Sequence, residues 1–226
     1  MLILPPSTAY GKRIPKQKFY ENLDVTPELK RVFVEQIVQI TWRNKLAAGT
    51  LNVVAGAAVT EMEVFEVKLN QPALDMRVLQ RIDQQIPYHI LYLLTFEGKA
   101  QAWIGYKEAR QGSSNAFKVN AYYHTEWMAE DALPLRVEGL TLDAVYEGFV
   151  RQVAGERLAE AGAADSLRDA VEKADRRRKL EKQIAALEKK MLAEKQYNKQ
   201  IEIRESLSEL KQMYQNDCGE PTICKK

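Results

Sequence analysis

The chain has 226 residues, 46% of them hydrophobic and 28% charged, with 33 basic against 31 acidic side chains and a net charge of +2. Domains run ~100 to 200 residues, so one main domain plus an appendage is expected, and collagen-like, fibrous and wholly disordered chains are excluded. The longest apolar runs, such as Ile90 to Leu94, fall far short of the ~18 residues of a membrane span, and Met1 to Pro6 is too short for a secretory signal, with its basic residues on the wrong side.

Residues 1 to 20 carry Lys12, Arg13, Lys16 and Lys18 and no acid. Neutralising several phosphates releases counterions and drives salt-sensitive binding, so this cluster is a candidate nucleic-acid contact. Thr26 followed by Pro27 and Glu28 reads as a helix start. Leu29, Val32, Phe33, Ile37, Ile40 and Trp42 recur at helical spacing, which predicts one helix running to Ala47, Ala48 and Gly49. Thr50 to Ala55 and Val59 to Leu69 are β-rich, with Gly56 as the break. Alternation predicts Glu61, Glu63 and Phe65 on one strand face and Met62, Val64, Glu66 and Lys68 on the other.

Pro72 opens a further predicted helix with Leu74, Val78, Leu79, Ile82 and Ile86 on its apolar face, stopped by Pro87. Tyr88 to Phe96, Lys99 to Lys107 and Phe117 to His124 read as strands. Glu97 and Gly98 make a tight turn between the first two, and Gln111 to Asn115 a looser loop between the second pair. Thr141 caps a helix carrying Leu142, Val145, Tyr146, Phe149, Val150 and Val153. The body, residues 1 to 160, is therefore expected to be α+β, a mostly antiparallel sheet packed by helices.

Gly155 and the small-residue run Ala159 to Ala164 mark a junction. Residues 161 to 226 are then expected to form a coiled-coil helical tail with a flexible end. Leu180, Ile184, Leu187 and Met191 are spaced 4, 3, 4, the a/d signature, and Ile203, Leu207, Leu210 and Tyr214 repeat it. Twelve residues between Met191 and Ile203 break the heptad phase. Either one helix carries a stutter, or the chain folds back as a hairpin near Tyr197 and Asn198. Such a seam must pair with itself, the body, another copy or another protein. The basic run Arg176 to Lys179 interleaves with Glu172, Asp175 and Glu181 at helical spacing, so it reads first as intrahelical ion pairs. Cys218 and Cys224, with only His89 and His124 elsewhere, support neither a disulfide scaffold nor a zinc site.

Six segments together carry a resemblance. They are Gly11 to Tyr20, Glu63 to Leu69, Ile86 to Leu91, Ala102 to Lys107, Tyr122 to Trp127 and Lys195 to Lys199. Across nearly the whole chain they resemble a bacterial family catalogued only as a domain of unknown function. The resemblance implies a gene context beside helicases and DNA methyltransferases in loci of restriction or phage-defence type, and no catalytic residues.

Two functions follow. The favoured expectation is a cytoplasmic, non-catalytic accessory subunit without a cofactor. It docks onto a helicase or methyltransferase, or a second copy, through Leu180, Ile184, Leu187, Met191, Ile203, Leu207 and Leu210, with Lys12, Arg13, Lys16 and Lys18 touching nucleic acid. The alternative is a Mg²⁺-dependent nuclease of restriction-endonuclease type. There Glu66 and Lys68, a Glu-x-Lys pair on one strand face, join Glu63 or Glu35 to hold the metal and position a water. The strand before this pair, Leu51 to Val59, lacks the acid that such a site expects, and a cross-strand Glu/Lys pair serves solvation equally well. His89 and His124 lie in aromatic-rich strands and read as packed residues, with no nucleophile and base pattern beside them.

Overall fold

The computed structural model describes residues 3–21, 25–109, 117–159 and 166–218. It divides into two compact units, Met1–Gly155 and Glu156–Lys226.

The first unit opens with a 3-10 turn and β1 (Ala9–Ile14), followed by α1 (Gln17–Glu21) and α2 (Pro27–Glu35). Thr26 caps α2 by accepting the Leu29 N–H, with Pro27 at the first helical position. The helix stops at Gln36, where the sequence predicts it to continue. β2 (Ile37–Ala47) takes over, because Ile37, Val38, Ile40, Thr41 and Trp42 are β-branched or aromatic, and Ile40, Thr41 and Trp42 find strand partners on both sides. The helical spacing of Ile37 and Ile40 is shared by chance with a bulged strand, for the register slips at Val38 and again between Trp42 and Asn44. Thr50 lies in α3 (Ala48–Leu51) rather than in a strand, and Val54 makes only an isolated bridge to Thr141. The connection to β3 (Glu61–Leu69) is fastened by Asp143, whose carboxylate accepts the N–H groups of Ala57, Ala58 and Val59 at 2.7 to 3.1 Å. A Cβ on Gly56 would sit 2.4 Å from that carboxylate, so only glycine fits there.

α4 (Met76–Gln85) starts one turn later than Pro72, with Asp75 as its cap. It carries the chain across the sheet, so that β4 (His89–Phe96) lies parallel to β3, the connection that parallel neighbours require. β5 (Lys99–Ala109) returns through a turn in which Glu97 and Gly98 both have positive φ, the geometry of a two-residue hairpin. β6 (Phe117–His124) and β7 (Met128–Ala129) both pair with β5, and α5 (Leu142–Ala154) closes the unit, capped by Thr141. The predicted loop Gln111 to Asn115 lies outside the described residues. The strand order is β1-β2-β3-β4-β5-β6, seven strands with β7, antiparallel except for β3 against β4.

One face of the sheet packs Phe65, Val67, Leu69, Tyr92 and Leu94 against Leu29 and Phe33 of α2 and Val78, Leu79 and Ile82 of α4. α5 packs on the opposite face over β5 and β6. Between the layers β3 is buried on both sides, where the sequence suggests a half-buried strand.

The second unit contains α6 (Glu156–Ala159), α7 (Leu167–Ala193) and α8 (Tyr197–Cys218). Of the two arrangements that the sequence leaves open, the chain takes the hairpin. Arg176 meets Asp217 at 3.7 Å, Tyr214 donates to Glu181 at 2.7 Å, and Lys211 meets Glu188 at 2.7 Å, an antiparallel order. Glu194 makes the turn, its carboxylate accepting the N–H groups of Lys195 and Gln196. Among the described residues, no helix is long and apolar enough to cross a membrane.

Candidate nucleic-acid interface

Residues directly opposite in neighbouring strands share a sheet face. The register Arg13 to Thr41, Thr41 to Glu66 therefore puts Arg13 on the face of the Glu-x-Lys pair, whereas Lys12, opposite Trp42 and Phe65, lies on the other face. Gln39, Lys68 and Thr95 form the next row. The bulge between Trp42 and Asn44 aims Arg43 at the same place. Its Nη1 lies 3.8 Å from Glu66 and 3.0 Å from Glu130, so one guanidinium sits between two carboxylates, where a cation would otherwise balance them. Lys68 is exposed.

Beside these rows, Arg13, Ile14, Pro15, Lys16, Gln17, Tyr20, Val38 and Gln39 line a cavity of about 320 Å³. The four basic residues of the sequence cluster do not act alike. Lys16 donates to the carbonyls of Val34 and Ile37 at the end of α2, so part of its charge caps that helix. Burial, with Arg13 close by, pulls its pKa down. Lys12 lies 4.6 Å above the Tyr10 ring, which packs 4.3 Å from Trp42. Lys18 stands on α1.

The companion acids of the nuclease alternative do not join Glu66. Glu63 lies on the opposite face of β3, 1% exposed. Among the described residues, no hydrogen-bond partner is found for either of its oxygens. Burial, then the neighbouring Glu61, pushes its pKa up to about 8, so it is a neutral acid at pH 7. Glu61 is itself ion-paired to Lys45 at 2.7 Å. Glu35 is exposed at the end of α2, where its backbone carbonyl accepts from Asn70. Among the described residues, no group of three or more His, Cys, Asp or Glu side chains is placed to hold a metal ion.

Two arrangements carried no signal in the sequence: the Arg43 bridge to Glu130, and a sealed network beneath β5. In the latter, Lys107 Nζ pairs with Asp83 at 2.8 Å and donates to the Tyr88 carbonyl. The Tyr122 hydroxyl donates to the other oxygen of Asp83, and burial raises its pKa far beyond the ordinary tyrosine value. Where the β5/β6 register slips, the Tyr146 hydroxyl accepts the Lys107 N–H and donates to the Gly105 carbonyl, replacing the missing rung. His89 packs 4.2 Å from the Tyr146 ring and is drawn down to about 4 by burial and by Lys107. His124 stacks on Trp103 at 4.4 Å.

In the helical unit, Leu180, Ile184, Leu187, Met191 and Leu210 are half-buried, and Ile203 and Leu207 buried. The apolar side chains left in solvent are elsewhere. Leu192 is 85% and Tyr197 74% exposed, flanking the turn, with Ile201 one helical turn further on.

No curated protein matches this sequence, and neither does any solved structure. Residues 2–214 match the profile described as Domain of unknown function (DUF4391). With nearly its whole length matched, from β1 through the hairpin to Tyr214, the chain belongs to the DUF4391 family.

Proposed function

We propose that the chain is a non-catalytic accessory subunit of a bacterial restriction or phage-defence assembly. It docks onto a helicase or DNA methyltransferase of the same locus and adds an ancillary nucleic-acid contact. The observation that carries the docking is the hairpin turn. Leu192, Tyr197 and Ile201 form an exposed apolar tip, ringed in sequence by Lys189, Lys190, Lys195 and Lys199. Glu194, the acid between them, is occupied by the turn's own N–H groups, which hold its pKa down. An apolar centre with a cationic rim fits an acidic-rimmed groove on another protein and disfavours a second copy of the same tip. The nucleic-acid contact is assigned to the face around Arg13 and Lys68. The partners named are those that the family resemblance implies.

Co-expression of the tagged chain with the helicase and the methyltransferase of its locus tests this reading. One of the two co-eluting through size exclusion in fixed ratio is the expected result. Neither co-eluting overturns it.

The nuclease alternative keeps one supporting observation, the shared face of Glu66 and Lys68 with Glu130 close to Arg43. Arg43 supplies the balancing charge in that group, which favours a binding role over a metal-dependent one.

A further inference from the structure

We infer that the cavity between β1, α1 and the start of β2 seats one nucleoside phosphate with its base unpaired. The inference rests on the nucleic-acid contact proposed above and names its substrate class.

The lining supplies three things in one place. Ile14, Pro15, Val38 and Tyr20 give apolar and aromatic walls for a base. Gln17 and Gln39 bring primary amides, each offering donor and acceptor to a base edge. Arg13 and Lys16 bring positive charge for a phosphate. At about 320 Å³ the volume is at the small end of the ~300 to 1,000 Å³ range of ligand sites, which suits one nucleotide rather than a larger ligand. Burial first and Arg13 second pull the Lys16 pKa down, and an anion between the two cations relieves the part that is repulsion.

Strand discrimination follows from the concavity. A base stacked in a duplex presents only its groove edges, whereas a splayed base brings a face and a free pairing edge. The cavity is continuous with the sheet face, since Gln39 lines it and is paired with Lys68. A strand leaving the cavity therefore meets a third cation, Lys68, after Arg13 and Lys16. Val38 stands at the bulge that opens this wall.

Fluorescence anisotropy on the full chain, with a labelled dT oligomer, a duplex of equal length and a labelled mononucleotide, tests the seat. The variants are Val38→Trp, which fills the cavity without changing charge, Gln17→Ala, which removes one exposed amide, and Arg13→Gln. Wild type should prefer the single strand, and Val38→Trp should weaken it about tenfold, the effect of one lost base contact, with unchanged thermal melting. Arg13→Gln should lower the salt slope by ~0.7, the value for one single-strand phosphate. Should Val38→Trp melt early, Gln17→Ala reads the same contact. A mononucleotide that competes as well as the oligomer supports the seat and assigns it to a free nucleotide. Equal binding of duplex and single strand, unaffected by Val38→Trp and Gln17→Ala, overturns the seat and leaves the broader nucleic-acid reading standing. No binding of any probe overturns both.

Discussion

Lys107 on β5 and Asp83 on α4 form an ion pair with side chains 1% and 0% exposed. A buried pair is weak support for stability as such, but removing one partner strands the other charge in a medium that cannot solvate it. Asp83→Ala should therefore destabilise the body by ~3 to 5 kcal/mol in urea titrations, whereas Asp83→Leu combined with Lys107→Met should recover most of that loss. A single variant that melts like the wild type would remove the pair from the stability argument.

His89 gives the acid side of the pH profile. Its folded value of about 4 lies below the ordinary 6.5, so between those limits the unfolded chain binds a proton that the folded chain refuses. The contribution of His89 is therefore full above pH 6.5 and falls as pH drops toward 4, by about 3 kcal/mol at most. In a Glu63→Gln background, which removes the opposing titration of that carboxyl, His89→Leu should flatten this limb when unfolding free energy is measured across pH 4 to 7.

Glu63 acts on the other side. Its folded value near 8 lies above the ordinary 4.5. The proton that it keeps stabilises the fold fully below pH 4.5, and that contribution is lost as pH rises toward 8. Glu63→Gln preserves the neutral shape and should exceed the wild type in stability at pH 8.5 by at least about 1 kcal/mol. Equal melting curves at pH 8.5 would show that the site ionises freely.

The hairpin separates two kinds of apolar residue. Leu192→Ser, Tyr197→Ser and Ile201→Ser together should abolish partner binding in size exclusion while circular dichroism keeps its helical signal. Leu180→Ser, Ile184→Ser, Leu187→Ser and Met191→Ser should lower the helical signal itself, because the half-buried seam organises the unit. Intact partner binding by the tip variant would move the handle away from the turn.

For catalysis a negative result is expected. Purified chain should leave DNA and RNA uncut with Mg²⁺ or Mn²⁺, and Glu66→Gln should leave any defence phenotype unchanged, whereas Lys68→Ala should weaken only the nucleic-acid contact. Cleavage that survives purification and disappears in both variants, with melting unaffected, would establish the nuclease.

The sequence announced the elements whose local signals agree. Thr26 and Thr141 cap helices where the pattern placed them, and Glu97 and Gly98 turn the β4–β5 hairpin. β2 was hidden because Ile37 and Ile40 satisfy a helical period and a bulged strand equally, and only pairing with β1 and β3 decides between them. The meeting of Arg13 with the Glu66 strand was invisible for the same reason: register across three strands is a tertiary property. Asp83 and Lys107 are 24 positions apart and look in sequence like ordinary surface charges. The tip residues Leu192 and Tyr197 fall outside the heptad spacing that identified the seam.

The Asp143 anchor has a consequence in time. The backbone groups of Ala57, Ala58 and Val59 wait for a carboxylate 84 to 86 positions downstream. At ~5 to 20 residues per second of synthesis, that delay is on the order of 4 to 17 s. During this interval the link between β2 and β3 has its three N–H groups in water, and the order of events on the ribosome makes α5 the last fastening of the sheet's first half. A nascent chain stalled before residue 143 should therefore be open to proteases at Gly56 to Val59, and closed to them once α5 has emerged.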